Sequence, residues 1–489
     1  MIKSIALLVL LAASRVAAQD LPPLPSDTAR LIDEARSLPP EFSADILLRL
    51  ADSRIIEDRA WKRQLIEEAF KVGVRASLPY RKTGEATTDS RASRAYWDNG
   101  LESLTLQTRA VQAILSLDAQ RARIMFEEIP NPEVPSLSCQ VTGAPNLSAY
   151  YETAAKLVEQ AFTSEQRAKL EHIEFLKAII GRMRSPAHVT PAVKLIFKAP
   201  VTSAERSQLV NAFANMLPTI QGSPRVFGAV TFQLVPVSAP VPLPAGIRPA
   251  APLLEAPTGQ LPPQVVETAA ELVPALRAYI LKHVAGPRCS EDFRIGQLPR
   301  VVNDFNYLVS ALDPAGSRYR PISSDELRAS TDAGTYPRQS WWVSDRSKQV
   351  IQALQWLNHG NRNLPGNSRF FTLEERSTDE WNAHFVDTLR LIEGWKEIEE
   401  PSSEEWFGMV SEAYELIAEL APPGRQRDAV MTRYLTFMDT HYASMPPNLW
   451  FTQLKSQWRS KDPWVVEQFI NTSNPVMSLY AKVNQRVTE

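Results

Sequence analysis

Between Val235 and Pro263 the chain reads VPVSAPVPLPAGIRPAAPLLEAPTGQLPP, with nine prolines in 29 residues and only Arg248 and Glu255 charged. Proline has no backbone donor, fixes φ and biases the residue before it away from helical geometry, so a regular helix and a central strand are both excluded here. What remains is an extended, polyproline-like connector. It separates an amino-terminal half, residues 19–234, from a carboxy-terminal half, residues 264–489.

Both halves carry their apolar residues mostly at helical spacing. A chain of 489 residues exceeds the size at which a single core usually stops growing, and it holds only 18 glycines. The fold class that follows is all-α: stacked helical hairpins in an irregular α-solenoid or helical bundle array, with at most one short isolated β segment. That segment would be Val230–Leu234, where Val-Thr-Phe-Gln-Leu alternates apolar and polar.

Punctuation along the chain sets the expected helices. Ser26 reads as the N-cap of a helix to Ser37, and Leu38-Pro39-Pro40 turns the chain into a second helix from Glu41. A third is expected over 55–76, an exposed loop over 79–94, and a helical region over 101–128. Ser148 is expected to cap a further helix. Thr163 with Gln166, and Thr202 with Glu205, read as capping boxes for helices ending near Met183 and Leu217. Beyond the connector, helices are expected at 264–284, 298–312, 344–358, 377–397, 402–420, 425–443 and, with breaks, 463–486. Two of these begin with Ser377-x-x-Glu380 and Ser402-x-x-Glu405. LIDEARSLPPEFSADILLRLA near the start and LIAELAPPGRQRDAVMTRYL near the end both read helix, Pro-Pro turn, helix, the unit of a solenoid.

The first residues, MIKSIALLVLLAASRVAAQ, combine a basic start, a short apolar run and the small residues Ala17 and Ala18. This is the pattern of a secretory signal peptide over residues 1–18, too short in its apolar part for a membrane anchor. No later segment reads as transmembrane, so the protein is expected to be exported, periplasmic or extracellular. Its 53 basic and 55 acidic residues give a charge of −2; loss of Lys3 and Arg15 with the leader leaves 51 against 55, or −4. No basic stripe suggests a nucleic-acid partner. The two cysteines, Cys139 and Cys289, are expected to pair across the connector, because export places them where disulfides persist.

Signatures of phosphate-binding loops, nucleophile elbows and zinc-binding helices are absent, and no cofactor or metal is expected. The best local cluster is Glu380, His384 and Asp387, which share about 60° of one helix face beside the apolar stripe Trp381, Phe385, Leu389, Ile392 and Trp395. They read either as catalytic candidates or as the wet margin of that stripe. Nine of the 11 tryptophans lie between Trp341 and Trp464, and the adjacent Trp341 and Trp342 are the pair least suited to joint burial and so the candidate binding anchors. Six glutamates between Glu393 and Glu405 face a single Lys396, which predicts a solvated segment. The leading functional reading is a non-catalytic helical scaffold that binds a protein or an envelope polymer. The alternative is an α-helical glycan-active hydrolase or lyase using carboxylates of the carboxy-terminal half.

Intact mass of the protein recovered from its producing cells, under non-reducing conditions, tests export and pairing together. The expected mass is that of a chain starting at Gln19 and lacking two hydrogens at Cys139 and Cys289. Retention of Met1, or two free thiols, contradicts one expectation or the other.

Overall fold

The computed structural model describes residues 22–76, 99–134, 145–220, 263–284, 300–313, 316–323, 326, 344–359, 378–400, 402–422, 424–445, 451 and 463–488. The leader, the 79–94 loop, the 230–234 segment, the connector up to residue 262, Ser377, Cys139, Cys289, Trp341 and Trp342 lie outside them. Among the described residues there are eighteen α-helices and no strand, so the fold is all-α.

In the amino-terminal half the helices are α1 (Ser26–Arg36), α2 (Pro40–Asp52), α3 (Arg59–Gly73), α4 (Ser103–Leu115), α5 (Ala119–Glu128), α6 (Leu147–Gln160), α7 (Ser164–Ala168), α8 (Glu171–Ile180), α9 (Val189–Lys198) and α10 (Ser203–Met216). After the connector come α11 (Pro263–Val284), α12 (Arg300–Leu312), α13 (Asp345–His359), α14 (Thr378–Glu393), α15 (Ser403–Leu420), α16 (Arg425–His441), α17 (Pro463–Ile470) and α18 (Pro475–Thr488). Packing follows sequence order for the most part: α2 on α3, α3 on α4, α4 on α5 and α6, α6 on α9, and α10 on α11. The later helices run α13 to α14 and α15, α15 to α16, α16 to α17 and α17 to α18. One contact breaks that order, because α18 returns to pack on α1 and α2.

That return explains the burial of α2. Phe42, Ala44, Ile46, Leu47, Leu48, Leu50 and Ala51 are all buried, so α2 is apolar around most of its circumference rather than along one stripe. Neighbours on several sides require it: α1, α3, α4 and α18 all touch α2. At Gly73 a Cβ would meet Leu106 Cβ at 3.2 Å, so the missing side chain lets α3 lie tight against α4.

Several helix ends differ from expectation, each for a local reason. Pro25, rather than Ser26, precedes the first turn of α1, and no side chain caps it. Helix α3 starts late because Asp58 accepts from the Trp61 amide at 2.8 Å. The 101–128 region is two helices, since Asp118 accepts from the Arg121 amide and restarts the chain as α5. Asn146, not Ser148, caps α6. The helix expected to reach Met183 is broken at Leu170, whose φ of 59° is left-handed and rare for a residue with a Cβ. Helix α9, carrying Pro191 in its first turn, was not expected at all; Pro there forfeits only an amide that has no intrahelical partner. The 377–397 helix stops at Glu393, and Glu397–Glu399 is a separate 3₁₀ turn.

Both expected amino-half capping boxes are present, at Thr163/Gln166 and Thr202/Glu205. Each is followed at once by an arginine that turns back onto the preceding helix. Arg167 donates to the carbonyls of Val158, Glu159 and Phe162 at the end of α6. Arg206 donates to those of Ile196, Phe197, Ala199 and Val201 at the end of α9. A cation there satisfies C-terminal carbonyls that have no helical partner and complements the negative end of the helix dipole.

Arg206 is buried, so its loss strands those acceptors. Arg206→Met should lower stability by about 3 kcal/mol, read as a lower denaturant midpoint at unchanged slope. A shift within about 0.5 kcal/mol would mean that the carbonyls find water instead.

Candidate functional site

Of the residues singled out in the carboxy-terminal half, Trp341 and Trp342 lie outside the described residues, and the three polar ones are on α14. On α14, Glu380, His384 and Asp387 are all exposed. Asp387 accepts from Arg390 at 3.0 Å on the same helix. His384 instead stacks on Trp356 of α13, with ring centroids 3.6 Å apart and 27° between planes. Among the described residues no group of three or more His, Cys, Asp or Glu side chains could hold a metal ion. The adjoining stripe is as expected in its apolar members, with Phe385, Leu389, Ile392 and Trp395 buried and Trp381 partly so.

The glutamate-rich segment is exposed at Glu393 and Glu397 and half-buried at Glu399 and Glu400, and its repulsion is further relieved by specific partners. Glu393 pairs with Arg433 at 3.1 Å and Glu399 with Arg346 at 3.4 Å. Glu400 accepts from the Trp395 indole at 2.8 Å and from the Ser344 hydroxyl. The two arginines come from α13 and α16, 53 and 40 residues away, and Ser344 lies just before α13, whereas Trp395 belongs to the segment itself. Ile398 is left between them at 90% exposure.

The dense polar chemistry lies instead where α2, α4 and α18 meet. Asp45 points into the core with its side chain 2% exposed, on a helix otherwise lined with apolar residues. It accepts from Arg49 Nε at 2.8 Å, from an Arg109 guanidinium nitrogen at 2.5 Å and from the Tyr480 hydroxyl at 2.5 Å. Burial alone would raise its pKa, but the two guanidinium groups and the phenol overcome it and hold the carboxyl far below the usual carboxylate range. Tyr480 is pushed well above the ordinary phenol value by burial and by the adjacent carboxylate. Around this knot, Phe42, Phe451 and Tyr480 form an aromatic cluster with centroid separations from 4.9 to 6.4 Å. At the rim, Lys482 pairs with Glu34 at 3.1 Å and Arg486 with Asp27 at 3.0 Å.

One step along α4 sits the opposite kind of acid. Glu102 is 4% exposed and precedes the first turn of α4. Its Oε1 accepts from the Thr105 hydroxyl and, at 3.4 Å, from the Asn146 amide, whereas its Oε2 has no partner. Burial pushes this carboxyl up to about 7, against the smaller opposing pull of those hydrogen bonds and of Arg109. A second buried polar pair lies in the same half: the Tyr151 hydroxyl and His188 Nδ1 are 3.1 Å apart, and burial lowers His188 to about 4, which keeps the imidazole neutral.

Sequence reasoning missed Asp45, Arg49, Glu102, Arg109 and Tyr480. A carboxylate inside the run FSADILLRLA was visible, and so was an arginine four residues later, but their remaining partners lie 64 and 435 residues away.

Glu102 yields a pH prediction. Its folded value exceeds the unfolded one, so its neutral form is favoured by folding, and stability is lost as pH rises from about 4.5 through about 7. The loss approaches about 3 kcal/mol on the alkaline side, at 1.36 kcal/mol per unit. Glu102→Gln should match the wild type near pH 3.5, below the unfolded value, and exceed it by up to that amount at pH 8.5, in denaturant titrations at both values. Equal wild-type and variant stability at pH 8.5 would contradict the burial argument.

Compared with protein-family models, with curated proteins and with solved structures, the chain matches none.

Proposed function

We propose that the protein is an exported, non-catalytic helical scaffold, periplasmic or extracellular, that presents a binding surface to a protein or an envelope polymer. The observation that carries this reading is that several strongly perturbed ionisable groups are enclosed. Asp45, Tyr480, Glu102, Tyr151 and His188 are buried, and each makes a hydrogen bond inside the chain. A catalytic acid or base has to reach a substrate proton at hydrogen-bond distance, which a group enclosed this way is not placed to do. The all-α stack supports the reading as well, because arrays of helical hairpins make extended surfaces suited to binding. No helix among the described residues is long and apolar enough to cross a membrane.

One observation favours the enzyme reading as the alternative. Asp45 and Glu102 are carboxyls driven in opposite directions by their surroundings, with Arg109 acting on both. Such a divergence is what an acid paired with a permanently ionised partner requires. For this pair to act on a glycan, the interior between α2 and α4 would have to open to substrate, whereas Glu380 and Asp387 are already exposed.

Of the clustered tryptophans, Trp395 and Trp406 are buried, with the Trp406 indole donating to the Trp395 carbonyl at 3.0 Å, so they belong to the core. The proposed anchors are therefore Trp341 and Trp342. Replacing both with alanine should reduce capture of a cross-linked envelope partner at least tenfold, while thermal stability changes by less than about 0.5 kcal/mol. A large stability loss would make the pair structural. Turnover of an envelope glycan by the wild type, abolished in Glu102→Gln, would replace the scaffold with the enzyme.

A further inference from the structure

Glu102 and Arg109 are seven residues apart, which places them within about 20° of one face of α4 and about 10 Å apart along its axis. Arg109 extends from that face to α2, where it holds Asp45 at 2.5 Å, and Asp45 in turn holds the Tyr480 hydroxyl of α18. One guanidinium thus stands between two carboxyls: Asp45, fully engaged, and Glu102, with one oxygen unpartnered in the protein interior.

The charges around Glu102 leave Arg109 as its natural counter-ion. From α2 the facing groups are Asp45 and Arg49, which already bond each other. Charges of α3 and α5 have other partners: Glu67 takes Arg63 and Arg121, Asp118 takes Arg63, Glu68 takes Arg36 of α1, Lys62 and Arg59 donate to the Ser53 and Leu117 carbonyls, and Arg123 takes Glu127. From the start of α6 only the Asn146 amide reaches Glu102, while Glu152 on that helix pairs with Lys198 of α9. Tyr480 is the titratable group that α18 contributes.

We infer that Glu102 is a proton-controlled latch for the closure of the chain's two ends. With Glu102 neutral, Arg109 is committed to Asp45 and α18 is held against α2. When Glu102 loses its proton in place, the new buried anion draws on Arg109, the grip on Asp45 weakens, and α18 loosens from the amino-terminal hairpin. The transition falls in the neutral range because burial has moved the Glu102 carboxyl up to about 7. The two rim pairs, Lys482–Glu34 and Arg486–Asp27, are partly exposed and contribute little, so they restrain α18 without replacing the central knot. The partner released is the protein's own α18, and what it uncovers is the apolar face of α1 and α2 around Phe42.

Hydrogen exchange of the full-length protein between pH 6.0 and 8.5, corrected for intrinsic exchange rates, tests the latch. Wild-type protection in peptides covering 475–488 and 40–52 should fall at least tenfold as pH rises through about 7, and further than in 189–198, which follows only the global loss of stability. Glu102→Gln should remain protected across the range. Arg109→Gln, which removes the shared cation, should be weakly protected at every pH. A flat wild-type profile, or a wild-type-like pH dependence in either variant, overturns the inference. If Glu102→Gln does not fold, the Arg109→Gln profile decides alone.

Discussion

A single buried carboxylate, Asp45, holds the two ends of this chain together. Taking an ion out of water costs several kcal/mol, and only close, well-directed partners offset that. Asp45 has three, and they come from its own helix, from α4 and from α18. The amino-terminal hairpin therefore cannot complete its interior from local sequence. The aromatic cluster of Phe42, Phe451 and Tyr480 has the same composition, since one ring comes from the start of the chain and two from its last 40 residues. Among the described residues most helix contacts join elements near in sequence, and this long-range one couples α18 to the amino-terminal hairpin.

Elsewhere stability is local and repeated. The segments Thr163-Ser-Glu-Gln-Arg167 and Thr202-Ser-Ala-Glu-Arg206 perform the same two tasks, starting one helix with a reciprocal cap and ending the previous one with an arginine. Both tasks are thus met within five residues, by groups close in sequence. The His172 imidazole, 3.2 Å from Glu205, ties the second of these turns to α8. Rigidity at such turns and plasticity at the α18 closure are compatible, because the first depends on satisfied backbone groups and the second on a charge balance.

The carboxy-terminal half distributes its aromatic residues between two uses. Trp395 and Trp406 close the turn around the glutamate-rich segment from inside, where Glu400 accepts a hydrogen bond from the Trp395 indole. Trp356 and His384 stack at the exposed side of the α13–α14 pair. A residue type that dominates binding surfaces is here partly consumed by the core, which narrows the proposed surface to the tryptophans not committed to it.

The helical class, most helix positions and the two Thr-based capping boxes follow from the sequence alone, because spacing of apolar residues and side-chain caps act within a few residues. Breaks were legible where proline or a run of turn residues marked them, and not where a single Asp118 cap or the left-handed Leu170 did. Tertiary structure alone decided the closure of α18 on α2, the burial of Asp45 and Glu102, and the pairing of Glu393 and Glu399 with arginines on other helices. The reason is physical. The charge state of a carboxyl depends on its desolvation and on cations within a few ångströms, and in this chain those cations and the covering residues come from positions up to 435 residues away.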